Sequence, residues 1–149
     1  MNSTTTHKAN VSTTNASAFK LQSTTMLVAR VLLVAIFILS ALSKLGAIQP
    51  TMGYMQAMGV PGALIYPTIA FEIAAGVLIL IGLKVRTTAV LLAGFSLVTA
   101  AIFHRNFGNQ IEMIMFLKNV SMAGGFLLLA AAGGGALSLD ERALSKPRL

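Results

Sequence analysis

The amino-acid sequence predicts an all-α fold, an integral membrane four-helix bundle with both termini in the cytoplasm. Of its 149 residues, 56% are hydrophobic and 10% are charged, and the mean hydropathy is +0.81. A soluble domain of this size cannot hide that much apolar surface. Four apolar runs approach the ~20 residues that a spanning helix needs. With four spans, eight of the eleven Lys and Arg residues fall on the side of the termini, and the positive-inside rule predicts that this side is cytoplasmic.

The first part of the chain changes abruptly from polar to apolar. Residues 1–25 are rich in Ser, Thr and Asn and have no apolar period, which predicts a disordered cytoplasmic tail. The first spanning helix is expected over 26–45, with Arg30 and Lys44 near its ends, where their charged groups can snorkel towards the interface. The charge-free stretch over 52–61 is too short and too rich in Gly to span, so it is expected to form a short interfacial helix.

Three more apolar runs complete the predicted domain, which covers residues 26–135. The second helix carries Glu72 near its middle, and Gly133–Gly135 is expected to end the fourth helix. Residues 136–149 read as a charged cytoplasmic tail. The three helices are predicted over about 62–83, 87–104 and 111–132.

Composition excludes several kinds of chemistry. The chain has no Cys, which excludes disulfides, thiolate-bound iron–sulfur clusters and covalently attached haem. One of its two His residues, His7, lies in the polar tail, so a single chain cannot build a bis-histidine haem site. The net charge of +7 is spread over turns and tails, which indicates contact with anionic lipid and no nucleic acid. We predict no metal site. A Cu(I) site of methionines with His104 is chemically sensible, but Met more often fills gaps in packing.

Polar residues gather at the end of the bundle that lies opposite the termini. Glu72 is expected near the midplane beneath them, and an unpaired charge there costs at least ~2.5–3.5 kcal/mol. We therefore expect Glu72 to pair with either Lys118 or Lys44. One interpretation is structural, with the pair fixing the packing of the helices. The other is functional: Glu72 and His104 carry protons beside a bound quinone, and its head group contacts Lys44, Asn109, Gln110, Lys118 and Asn119.

The order and spacing of these residues resemble the DoxX family of small four-helix bacterial inner-membrane proteins. The resemblance covers about Leu27 to Arg142 and excludes the N-terminal tail. One departure is Ala41, where many relatives carry Gly. The matching elements are Arg30, Ser43-Lys44-Leu45, Tyr54-Met55, Gly59-x-Pro61, Glu72, Gly82, Arg86, His104, Asn109-Gln110, Phe116-x-Lys118-Asn119 and Ser138-Leu139-Asp140.

The resemblance implies an association with membrane oxidoreductase complexes. The family is linked to such complexes, including a quinone-reducing thiosulfate oxidase, and relatives are often labelled quinol oxidase subunits. We therefore expect a multi-pass protein of the bacterial inner membrane that acts as an accessory or quinone-interacting subunit. If it takes part in catalysis, it does so within a larger enzyme. The expected partners are the lipid bilayer, redox subunits and further copies of the chain. The alternative is a non-enzymatic membrane scaffold or a protein of small-molecule or metal transport.

Overall fold

The protein is all-helical over the residues that the structure describes. A computed structural model gives the backbone of residues 3–144 and the side chains of residues 18–144. The helices are α1 (Ser3–Gly46), α2 (Ile48–Ala57), α3 (Ile65–Ile81), α4 (Val85–Phe103), α5 (Gln110–Ala132) and α6 (Leu139–Leu144), with a 3-10 turn over Gly62–Leu64 before α3.

Four of these segments are long and apolar enough to cross a membrane, which confirms the predicted all-α fold with four spans; the cytoplasmic position of the termini stays a prediction. They are Ala18–Gly46, Gly62–Ile81, Val85–Phe103 and Gln110–Ala132. Large apolar side chains cover the outer faces of the bundle; Leu32 and Leu128, for example, are 70% and 74% exposed. Because such side chains favour hydrocarbon over water, their exposure fits contact with the bilayer.

The sequence predicted a disordered tail over residues 1–25, but α1 starts at Ser3. The first helix therefore begins earlier than predicted. Residues 18–25 contain neither Gly nor Pro. Their hydroxyl groups find acceptors within the helix, at carbonyls one turn back: Ser23 Oγ donates to Phe19 O at 2.8 Å and Thr25 Oγ1 donates to Leu21 O at 2.9 Å. In this arrangement the hydroxyls are satisfied without drawing the backbone into a turn.

Two prolines lie where a helix tolerates them. Pro50 is the third residue of α2 and Pro67 the third residue of α3. A first-turn residue has no helical acceptor for its amide, so proline costs little there. A short helix is therefore present where one was predicted, although α2 starts at Ile48 and ends at Ala57; its position at the membrane interface stays a prediction.

The helices pack as two pairs, α1 against α3 and α4 against α5. One core lies in the half of the bundle nearer α6; Phe37 and Phe126 meet edge to face there at 5.4 Å between ring centroids. A second, smaller core joins Ala41, Met55, Ile65 and Ile69. We call the end with α2 and the α4–α5 loop the loop end, and the end with α6 the terminal end.

Candidate functional site

A buried ion pair joins α1 to α3 near the loop end. Lys44 Nζ donates to both carboxylate oxygens of Glu72, each at 2.9 Å. The Glu72 side chain is 4% exposed and that of Lys44 is 21% exposed. The sequence left Lys44 and Lys118 open as partners for Glu72, and the structure selects Lys44. The sequence suggested that Lys44 snorkels towards the interface. In the structure Glu72 instead holds its ammonium group against α3.

Ser40 completes this cluster and was missed by the sequence analysis. Its Oγ accepts from Lys44 Nζ at 2.5 Å. The two residues are four positions apart on α1, so their side chains share one face of the helix. The ammonium group of Lys44 thus directs its three donors at Ser40 and the two oxygens of Glu72. The sequence did offer a signal for this contact, since Ser40 is a polar residue one helical turn before Lys44.

A second polar pair closes the loop between α4 and α5. His104 lies just after α4 and Glu112 in the first turn of α5. His104 Nδ1 and Glu112 Oε2 are 2.9 Å apart, and the two side chains are about a quarter and a third exposed. This position allows exchange of protons with water, which a fully buried pair does not allow.

Tyr54 of α2 brings an aromatic hydroxyl next to this second pair. Its ring stacks on Phe103 with 5.6 Å between centroids, and its hydroxyl lies 3.5 Å from the Phe103 carbonyl oxygen. Burial, and to a lesser extent the Glu112 carboxylate, raise the pKa of Tyr54 above its usual range. The phenol therefore stays protonated and can donate a hydrogen bond.

Both pairs border the smaller core, although no hydrogen bond or ion pair joins them within residues 18–144. Ala41 of this core lies one turn before Lys44, and Ile69 lies one turn before Glu72. Phe103, which packs against the same core, directly precedes His104. The loop end thus combines one buried ion pair and one accessible pair, each next in sequence to residues of the smaller core.

The remaining predicted residues are spread along α5. Asn109 caps the helix, since its Oδ1 accepts from the amides of Ile111 and Glu112 at 2.9 and 3.3 Å. Gln110 is exposed. Asn119 bonds to the Met115 carbonyl at 3.0 Å and lies 3.4 Å from the hydroxyl of Thr99 on α4. These contacts hold α5 in place, and a role for Asn109, Gln110 and Asn119 at a quinone stays a prediction.

Lys118 stands apart from both pairs. It is exposed and lines a groove between α1 and α5. A role for Lys118 at the quinone head group likewise stays a prediction. Within residues 18–144 no cluster of three or more His, Asp or Glu residues suited to a metal is present. Met55, one of the methionines near the loop end, is 6% exposed and packs in the smaller core.

A further polar cluster, which the sequence analysis did not predict, closes the terminal end. Arg30 is 1% exposed, and its Nη2 donates to the Leu137 carbonyl at 3.0 Å. The expectation that Arg30 snorkels to the interface was therefore wrong. Asp140 accepts from the amides of Lys84 and Val85 at 2.8 and 2.9 Å, which caps the start of α4. The Asp140 amide donates to Gly82 O at 2.9 Å. The sequence did contain a signal for this cluster. Arg30, Gly82 and Ser138-Leu139-Asp140 are all among the residues that carry the resemblance to the DoxX family.

Comparisons with known proteins agree with this architecture. The family model of DoxX matches residues 25–105. The chain is 46% identical to the inner membrane protein YqjF of Escherichia coli over 122 residues, which is 82% of this chain and 94% of that protein. It is 41% identical to the inner membrane protein YphA of the same organism over 124 residues, 78% of this chain and 89% of that protein. No solved structure matches significantly.

Proposed function

Since the chain belongs to the DoxX family and is a multi-pass inner-membrane protein, we propose that it is an accessory subunit of a membrane oxidoreductase complex and that its loop end binds a quinone head group. The observation that carries this proposal is the buried Lys44–Glu72 pair next to an accessible His–Glu pair. An ionisable group inside a membrane is by default a functional candidate. The positive-inside count further supports a terminal end that faces the cytoplasm.

The chemistry assigns separate roles to the two pairs. A quinone takes up two electrons and two protons on reduction, and a quinol releases them on oxidation, so the ring oxygens need nearby groups that donate or accept hydrogen. Lys44 can exchange its hydrogen bond to one Glu72 oxygen for a bond to a quinone oxygen. That Glu72 oxygen is then free to accept a proton from a quinol. His104 and Glu112, being partly exposed, would pass the proton to or from water.

In this proposal another subunit exchanges electrons with the quinone. The chain has no Cys, so it lacks the ligands of iron–sulfur clusters and covalently attached haem. This favours an accessory role over a self-sufficient enzyme. A redox partner would carry the electron centre, and the DoxX chain would hold the quinone and its protons.

The test is extraction of lipid from the purified protein. We expect wild-type protein in mild detergent to carry about one quinone per chain or per complex, and Glu72→Gln to lose it. The matched control is Glu141→Gln, which changes an acid at the terminal end and keeps the quinone. Accumulation in the membrane shows whether each variant folds.

A structural pair would behave differently. If Glu72→Gln prevents accumulation of the protein and Lys44→Met in the same chain restores it, the pair serves packing only and the proton role is refuted. One observation favours this second candidate, a membrane scaffold or transport-related protein: Lys44 and Glu72 already satisfy each other, as a purely structural pair would. Wild-type protein free of both quinone and redox subunits would support it.

A further inference from the structure

Lys118 is an intramembrane cation without a partner in the part of the chain that the structure describes. It lies eight residues after the start of α5, about 12 Å along the helix axis. Its side chain is exposed, and no hydrogen bond or ion pair joins it to any of residues 18–144. A lone ammonium at this depth is costly. An acceptor outside the fold would satisfy it.

The surroundings of Lys118 form a groove that a helix can occupy. The groove lies where α1 and α5 make few contacts, and its volume is about 560 Å³. The residues that line it beside Lys118 are Ile36, Ile114, Leu117, Ser121 and Met122. One turn further along α5, a Cβ on Gly124 would meet nothing within 4 Å. Small residues such as Ser121 and Gly124 on an exposed helix face allow a second helix to approach closely.

We propose that this groove receives a transmembrane helix of a different protein, with an Asp or Glu at the depth of Lys118. Opposite charges within membranes pair with one another, so an acid is the side chain that fits an unpaired lysine. The inference deepens the accessory-subunit part of the proposed function and does not depend on quinone binding.

A second copy of the chain does not fit this groove. The chain has four acidic residues: Glu72 is buried against Lys44, and Asp140 and Glu141 lie at the terminal end. Glu112 bonds to His104 and lies six residues, about 9 Å, nearer the loop end than Lys118. In addition, a two-fold contact along this face would bring two Lys118 side chains together.

Site-specific cross-linking in the native membrane tests the proposal. A photoreactive amino acid replaces Leu117, which is 53% exposed beside Lys118; the control replaces Leu91 on α4, which is 55% exposed. We expect Leu117 to cross-link to an apolar segment of another polypeptide with an Asp or Glu, and Leu91 not to do so. Lys118→Met lowers the yield about tenfold, and Lys118→Arg keeps it.

Charge reversal makes the result decisive. Lys118→Glu abolishes the cross-link, and exchange of the partner's acid for Lys restores it. Cross-links to a second copy or to lipid alone, a partner segment without an acid, or a yield that Lys118→Met leaves unchanged would each overturn the proposal. The quinone content of the same membranes is measured separately, so loss of the partner and loss of the quinone are distinguishable.

Discussion

Replacement of Gly82 by Ala tests the packing of the terminal end. Gly82 ends α3 with φ +76°, a left-handed conformation that costs about 1–2 kcal/mol for other residues. A Cβ there would lie 2.1 Å from Arg30 Nη1 and 2.6 Å from the backbone Cα of Ser138. Neither can retreat easily, because Arg30 is buried and bonded to Leu137. Overpacking adds about 1–3 kcal/mol, so we expect a total loss of about 2–5 kcal/mol.

Thermal unfolding in detergent, followed by circular dichroism, measures this loss. A loss of this size lowers the Tm by about 5 °C or more. Gly94→Ala is the matched control, since its Cβ meets nothing within 4 Å and alanine favours the helix; it should not lower the Tm. A Tm for Gly82→Ala within about 2 °C of wild type would refute the packing argument.

Three other substitutions probe the caps and the tyrosine. Asp140→Ala should cost about 1–2 kcal/mol by removing the cap of α4, with a smaller loss for Asp140→Asn; equal Tm values for all three proteins would contradict this. Asn109→Ala should cost about 0.5–2 kcal/mol and speed hydrogen exchange at Ile111 and Glu112, whereas unchanged exchange would exclude the cap. In a Tyr66→Phe background, ultraviolet titration should show Tyr54 ionising above its ordinary pKa. Glu112→Gln should lower that pKa only in part, because burial is the larger cause; an unchanged pKa would exclude the carboxylate.

The spans could be predicted from the sequence because their signal is local. Each apolar run needs only its own length and composition to be recognised, and the predicted ends of the last three helices lie within three residues of the structure. The start of the first helix was missed since Ser and Thr are poor helix formers in general. Within α1 their hydroxyls are satisfied by carbonyls of the preceding turn, which the composition of the segment does not reveal.

The pairings could not be predicted because they depend on helix rotation and neighbour order. Lys44 and Lys118 both lie within reach of the depth of Glu72, and depth alone does not decide between them. The structure places Lys44 on the face of α1 that packs against α3, while Lys118 faces outward from α5. The burial of Arg30 could not be predicted either, because its acceptor, the Leu137 carbonyl, is 107 residues away in the sequence. Without that acceptor, snorkelling to the interface was the expected position.

The closure of the terminal end has a consequence for biosynthesis. Helices of a membrane protein insert before they pack into the final bundle. Arg30 enters with the first helix, yet its acceptor and the cap of α4 are provided by Leu137 and Asp140, which leave the ribosome after all four spans. A released chain truncated after Gly133 therefore holds every transmembrane helix but lacks the Arg30–Leu137 hydrogen bond and the Asp140 cap. We expect it to be more sensitive to membrane proteases than a chain truncated ten residues later.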